Sequence, residues 1–315
     1  RIVVQSADPR QAALFGMLHY HLGWADASFN PCHTETGKHI RPVLCLLSCE
    51  TCGGDWEQAL PAASAVELLH NFSLIHDDIE DGDRTRRGHP TVWALWGEAQ
   101  AINAGDALFA LAQLALLRLA GRGVPATTVV TAQTLFNEAC MALTGGQHLD
   151  IGFESRDAVP VADYLAMIEG KTAALVACAC ELGALVAAAP QDRRASLRAF
   201  GRHLGLAFQM RDDILGVWGD PAVTGKPVGA DIARRKKTLP ILHGLAQSEA
   251  LRALFAQKEL TEADVRRATA LLDETSSRAF AEGLAQEHHH RALAALEEAN
   301  LQGCAAQALH DLTQA

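Results

Sequence analysis

Apolar residues recur at three-and-four spacing through Pro9 to Trp24, Pro42 to Cys49, Pro61 to Ile79, Glu98 to Leu119, Thr127 to Leu149, Thr172 to Ala188 and Arg193 to Leu215. That is the period of a helix with one buried face. Alternating strand patterns are nearly absent, so the expected fold is all-α. Breakers fall between the periodic segments, at TCGGD, GRGVP and AAAPQD, and the longest Gly/Pro-rich stretch, Trp218 to Asp231, is expected to be a mobile loop. No repeat of fixed period, low-complexity tail or composition shift marks a linker, so residues 1–315 are expected to form a single domain.

Composition narrows the class. With 49% hydrophobic and 20% charged residues, the chain has the makings of a substantial core. Its formal net charge of -10 and lack of a basic stripe give no reason to expect nucleic acid or anionic lipid as a partner. The most apolar run, Thr172 to Ala189, is interrupted by Glu181 and is too short and Ala-rich for a membrane span; a buried core helix is expected. No signal peptide is visible and the chain opens at Arg1 without a methionine, which fits a processed or trimmed chain. Cys49 and Cys52 form a C-x-x-C beside Cys45, but Cys140, Cys178, Cys180 and Cys304 are scattered through apolar helical patterns. Reduced core thiols in a cytoplasmic protein are therefore expected, not a metal site.

Charge is concentrated in LIHDDIEDGDRTRRGHP, Leu74 to Pro90. The helical pattern through Leu68, Leu69, Phe72 and Ile75 places Asp77, Asp78 and Asp81 near a helix C-terminus, with Asp77 and Asp81 on one face. Carboxylates there repel each other and meet the negative end of the macrodipole, so a compensating cation is expected. A hard ion such as Mg²⁺ takes oxygen ligands and keeps positions open for phosphate, which arginines behind the carboxylates would also hold. One such cluster is equally a solvated helix end with local salt bridges. A second, FQMRDDILGVWGD, repeats the arrangement with Asp212, Asp213 and, beyond them, Asp220. Two such helix ends facing each other across a cavity mouth, with Mg²⁺ and a diphosphate between them, are the expectation.

The basic residues extend this scheme. In TGKHIRPVL, Lys38 and Arg41 precede Pro42, which suits a first helical turn, so two cations stand beside a positive helix end. In EGKTAAL, Gly170 is expected to break the chain before Lys171 and Thr172 at a new helix start. This is not a Walker A loop, since Leu165 occupies the place of its first glycine. Lys226 and Lys236 would add contacts from a closing lid, although each lysine alone reads as a solvated surface residue.

The order GK-x-x-RP, HDD-x-x-D followed by RRG, GQ, GKT, FQ-x-RDD and TGK-P, from Gly37 to Pro240, resembles the trans-isoprenyl diphosphate synthase family, and within it the geranylgeranyl type. The resemblance implies an all-helical bundle around a deep apolar pocket, usually a homodimer, that uses Mg²⁺ to join isopentenyl diphosphate head-to-tail to an allylic diphosphate. Carried over by motif, Asp77, Asp78, Asp81 and Asp212 bind Mg²⁺ with the allylic diphosphate. Arg86, Lys171, Gln209, Lys226 and Lys236 hold that diphosphate, and Lys38, Arg41, His70 and Arg87 hold isopentenyl diphosphate. Thr172 and Gln147 also match the motifs. Metal ions and arginines then stabilise the departing diphosphate, an allylic carbocation forms, the second alkene attacks and a proton is lost.

The second cluster departs from D-D-x-x-D, with Gly216 in place of the last aspartate; Gly216→Asp is expected to tighten Mg²⁺ dependence. Product length is expected to be C20, with Phe72 as the pocket floor and small Ser73 beside it. Three rivals are a class I terpene cyclase, whose second metal motif is absent; a phosphohydrolase built on His76 and Asp77 with His39, His70 and Asp106; and a non-catalytic partner subunit, which retention of both Asp clusters disfavours. His288, His289 and His290 are expected on a solvated helix face.

Overall fold

The computed structural model describes Val4 and residues 8–34, 37–156, 158–220, 227–257 and 259–314. Residues 221–226 of the expected mobile loop, Lys226 among them, lie outside the described residues. The framework is helical: α1 (Ala12–His21), α2 (Ile40–Thr51), α3 (Trp56–Glu80), α4 (Val92–Trp96), α5 (Glu98–Leu117), α6 (Ala126–Glu154), α7 (Val161–Ile168), α8 (Ala174–Val186) and α9 (Gln191–Trp218). Six more follow: α10 (Ala230–Ala233), α11 (Leu239–Gln247), α12 (Glu249–Phe255), α13 (Glu262–Glu274), α14 (Ser277–Glu298) and α15 (Cys304–Gln314).

Caps explain where the site-bearing helix starts and stops. Asp55 precedes α3 and its side chain accepts the Glu57 N–H, so the helix begins before Pro61, which lies buried within it. Asp81 is the C-cap, with its N–H on the Asp77 carbonyl at 2.8 Å. Beyond it, Thr85–Arg86 (β1) and His89–Pro90 (β2) pair antiparallel. The connecting Arg87 and Gly88 have φ of 52° and 80°, the double left-handed turn that matches a hairpin's twist.

Between α7 and α8 the chain does not break at Gly170. It continues through one π turn, Glu169–Ala173, which carries Lys171 and Thr172. One surplus residue is absorbed in the helix and redirects its side chains.

The chain divides into two compact units. Arg1–Cys140, Cys178–Ala195 and Leu301–Asp311 make the first; Met141–Ala177, Ser196–Asn300 and Leu312–Ala315 make the second. In the first, α3 packs on α2 and α5 around buried Leu44, Leu69, Ile75, Leu108 and Leu116. In the second, Phe153, Tyr164, Ile168, Leu206, Met210 and Leu239 share a core. Each such large apolar side chain contributes about 2 kcal/mol by leaving water.

The run around Leu175 to Leu185 is buried as expected. One other helix, Glu98–Arg122, is long and apolar enough by length and composition to cross a bilayer. All eight cysteines are thiols, with Cys45, Cys49, Cys140, Cys178 and Cys180 buried and Cys304 exposed. Burial pushes the Cys49 and Cys180 thiols up to about 12.

Candidate active site

In the first unit the end of α3 and the hairpin are locked together by charge. Arg86 Nε donates to Asp78 Oδ1 at 2.7 Å and its Nη2 to Asp77 Oδ2 at 3.3 Å. Asp78 is 1% exposed and its Oδ2 is buried without a hydrogen-bond partner. Burial pushes the Asp78 carboxyl up to about 6, against the pull of Arg86. Asp77 is partly exposed and Asp81 is exposed, so these two can reach a cation from solvent.

Beside this lies a basic nest. Arg41, in the first turn of α2 with Pro42 next to it, turns inward, and its Nη1 donates to His70 Nε2 at 3.3 Å. Its Nε is buried with no hydrogen-bond partner. Burial, then Arg41, Arg87 and Arg86, hold His70 well below its ordinary value, so it is a neutral acceptor. The same causes, burial first and then Arg86 and Arg87, push His21 down to about 3. Lys38 is exposed. A cavity of about 290 Å³ opens on Asp78, Arg86 and Arg87.

Phe72 packs edge-on against His76, with ring centroids 4.9 Å apart, and tilted against Phe109 of α5 at 5.4 Å. Ser73 donates to the His70 carbonyl at 2.8 Å. His76 meets the Ile102 carbonyl at 3.3 Å and lies 3.8 Å from Asp106, while His39 pairs with Glu67 at 2.8 Å. These contacts spread the histidines of the phosphohydrolase reading among separate partners.

In the second unit Asp212 is exposed and Asp213 is 3% exposed. Tyr164 Oη donates to Asp213 Oδ2, the Leu239 N–H reaches the same oxygen at 3.1 Å, and Gln209 Nε2 donates to Oδ1 at 3.1 Å. Burial pushes Asp213 up to about 7 despite these donors. Thr172 Oγ1 donates to Gln209 Oε1 at 2.8 Å, and Lys171 Nζ to Asp150 Oδ2 at 2.5 Å. Lys236 is exposed; its neighbour Lys237 caps the end of α6, donating to the Phe153 carbonyl at 2.6 Å.

Gly216 has an acidic neighbour from another helix. A Cβ there would collide with Oδ2 of Asp231. The Asp231 carboxylate, supplied from the start of α10, lies against Gly216 one turn after Asp212 and would have to swing aside for any side chain at 216. Asp231 is the acidic residue that motif spacing alone missed.

His288 corrects a sequence expectation. It is buried, with Nδ1 2.9 Å from His203 Nδ1 on α9, instead of lying on a solvated face. Glu169 takes both Arg202 donors close by, at 2.6 and 2.7 Å.

Each unit by itself offers donors that suit a hard divalent ion: in the first, the carboxylate oxygens of Asp77 and Asp81 with Arg86 beside them, and in the second, the exposed carboxylate of Asp212. Among the described residues no three His, Cys, Asp or Glu side chains converge on one point. An ion that keeps several waters fits such a set better than one needing a protein cage.

Residues 24–272 match the polyprenyl synthetase family. The chain is 45% identical over 303 residues to a geranylgeranyl diphosphate synthase of Mycobacterium tuberculosis (strain ATCC 25618 / H37Rv), covering 95% of this chain and 85% of that protein. It is 49% identical over 237 residues to a (2E,6E)-farnesyl diphosphate synthase of the same organism, covering 75% of this chain and 65% of that one. A crystal structure of a polyprenyl synthetase from Streptomyces coelicolor A3(2) superposes with a TM-score of 0.89 at 38% identity, over 99% of this chain and 94% of that one. The all-α isoprenoid synthase architecture is thus shared, and the chain belongs to the polyprenyl synthetase family. It is a prenyltransferase.

Proposed function

We propose that the chain joins isopentenyl diphosphate head-to-tail to an allylic diphosphate, giving a C20 prenyl diphosphate and free diphosphate. Residues 1–315 would work as one functional domain. The observation that carries this reading is the basic nest: half-buried Arg41 has a buried, unpartnered Nε beside Arg87 and a neutral His70, a setting that calls for a polyanion. That set, with Lys38, would hold isopentenyl diphosphate. Arg86, Lys171, Gln209, Lys226 and Lys236 would hold the allylic diphosphate.

Asp77, Asp81 and Asp212 offer accessible oxygens for Mg²⁺; Asp78 contributes by holding Arg86 and through its unpartnered Oδ2. Bound Mg²⁺ supplies charge neutralisation of the leaving diphosphate. Arg86 and the lysines share that work as the allylic C–O bond breaks, since positive groups already in place stabilise the charge developing on the departing oxygen. The alkene of isopentenyl diphosphate attacks the allylic cation, a C–C bond forms, and a proton passes from carbon to the departed diphosphate. No side-chain nucleophile is needed.

Phe72, closed off by Phe109, supports a floor that stops the tail at C20, with Ser73 leaving room a larger residue would take. The relatives include both C15 and C20 synthases, so product length rests on these residues. Exposed Ile102, Leu114, Leu117, Val130 and Met141 on α5 and α6 support a homodimer. Eight reduced thiols support a cytoplasmic location.

The test is incubation with isopentenyl diphosphate, each allylic diphosphate and Mg²⁺, with products sized by chromatography. A C20 product that disappears with a chelator is expected. No condensation with any primer would overturn the reading.

A further inference from the structure

Asp213 turns away from solvent and receives three donors, from Tyr164, Leu239 and Gln209. Gln209 presents its nitrogen to Asp213, and its Oε1 takes the Thr172 hydroxyl at 2.8 Å. One Nε2 hydrogen of this part-buried side chain remains for another acceptor. The bond to the Leu239 N–H also pins the chain just after Lys236, and Lys237 anchors the same segment at the end of α6.

We propose that Asp213 is a positioning residue for the allylic diphosphate: by accepting from Tyr164, Gln209 and Leu239 it sets the orientation of the Gln209 amide and the register of Lys236 to Leu239, so that both Gln209 and Lys236 present N–H groups to the substrate. The inference rests on the proposed reaction, in which those two residues hold that diphosphate. Asparagine has the same shape but carries a donor. With its oxygen kept on Tyr164 and Leu239, its NH₂ faces Gln209, whose amide must reverse. The spare N–H of Gln209 then moves to the Thr172 side.

The test is steady-state kinetics of the full chain with Mg²⁺, varying geranyl diphosphate and isopentenyl diphosphate separately. Asp213→Asn is expected to raise KM for geranyl diphosphate about tenfold while KM for isopentenyl diphosphate changes less than about twofold. Tyr164→Phe keeps the ring packing, removes one donor, and should give the same split at about threefold. A purely structural role would raise both KM values together or lower kcat alone, and either result overturns the inference. If Asp213→Asn does not fold, an unchanged geranyl diphosphate KM in Tyr164→Phe overturns it equally. Absence of condensation by the parent chain is a different outcome: it removes the proposed reaction, and the inference falls with it.

Discussion

At the end of α3 the buried member of an Asp-Asp pair, Asp78, is held by the Arg86 guanidinium, whereas near the end of α9 its counterpart, Asp213, is held by a phenol, an amide and a backbone N–H. Neighbouring helix residues point about 100° apart, so a pair at a helix end divides into one outward and one inward carboxylate. Asp77 and Asp212 keep contact with solvent, and Asp78 and Asp213 do not. The charged clamp ties Asp78 to the hairpin and leaves one of its oxygens unpartnered. The neutral clamp uses Asp213 to organise side chains and backbone around it.

The largest expected effect separates outward from inward residues. Asp77→Ala and Asp212→Ala should each lower turnover by about 10²–10³-fold, the scale of removing one charge-stabilising group, while circular dichroism and the unfolding midpoint stay near the parent's. Parent-like turnover in either variant would show that the outward carboxylates do not carry the charge stabilisation.

Next comes stability. Gly216→Asp should destabilise by about 2 kcal/mol, because the new side chain displaces the Asp231 carboxylate and leaves two like charges facing each other. Denaturant unfolding checks this, and an unchanged midpoint would show that Asp231 can move aside. Asp78→Ala should cost about 2 kcal/mol by leaving the half-buried Arg86 short of its main partner. A neutral result would make the charged clamp no stronger than a surface ion pair.

Acid sensitivity sharpens the comparison by coming from a group that belongs to neither pair, His203 on α9. Burial lowers His203 from 6.5 to about 4, with His288, Arg202 and Arg291 adding to it and Glu169 opposing. The unfolded chain therefore binds a proton that the folded one refuses. His203 contributes stability above pH 6.5, and this is lost as pH falls from 6.5 towards 4. The thermal midpoint of His203→Gln should fall less over that window than the parent's. If the two profiles run parallel, acid unfolding begins elsewhere.

The smallest expected effect leaves rate and fold largely alone. Phe72→Ala removes the ring that packs on Phe109 and should lengthen the product, read by chromatography of the hydrolysed prenyl alcohols. The parent's product distribution from this variant would place the floor elsewhere.

Long, strongly periodic segments told the truth about the helices, because burial of one face imposes the spacing directly. Caps corrected the ends: Asp55, not Pro61, starts α3, since a side-chain acceptor stabilises a helix start more specifically than a proline merely permits one. The hairpin at Thr85–Pro90 escaped period counting because two-residue strands have no period; its one signal was a turn-forming Arg-Gly between them. The Asp-rich ends were legible as charge, but which carboxylate of each pair faces inward depends on Arg86 and Tyr164, eight and 49 residues away. Asp231 and the His203–His288 contact were invisible for the same reason, being set by tertiary packing.

The π turn at Glu169–Ala173 has a consequence for how this family diverges. A helix that holds one residue more than its regular winding needs is what a single inserted codon leaves behind when flanking turns are too well packed to rotate. Deleting that residue would return the segment to ordinary α-helix and swing Lys171 about 100° relative to one flank. A one-residue gap at this point in a related chain would therefore mark a lysine turned away from the partner that Asp150 supplies here.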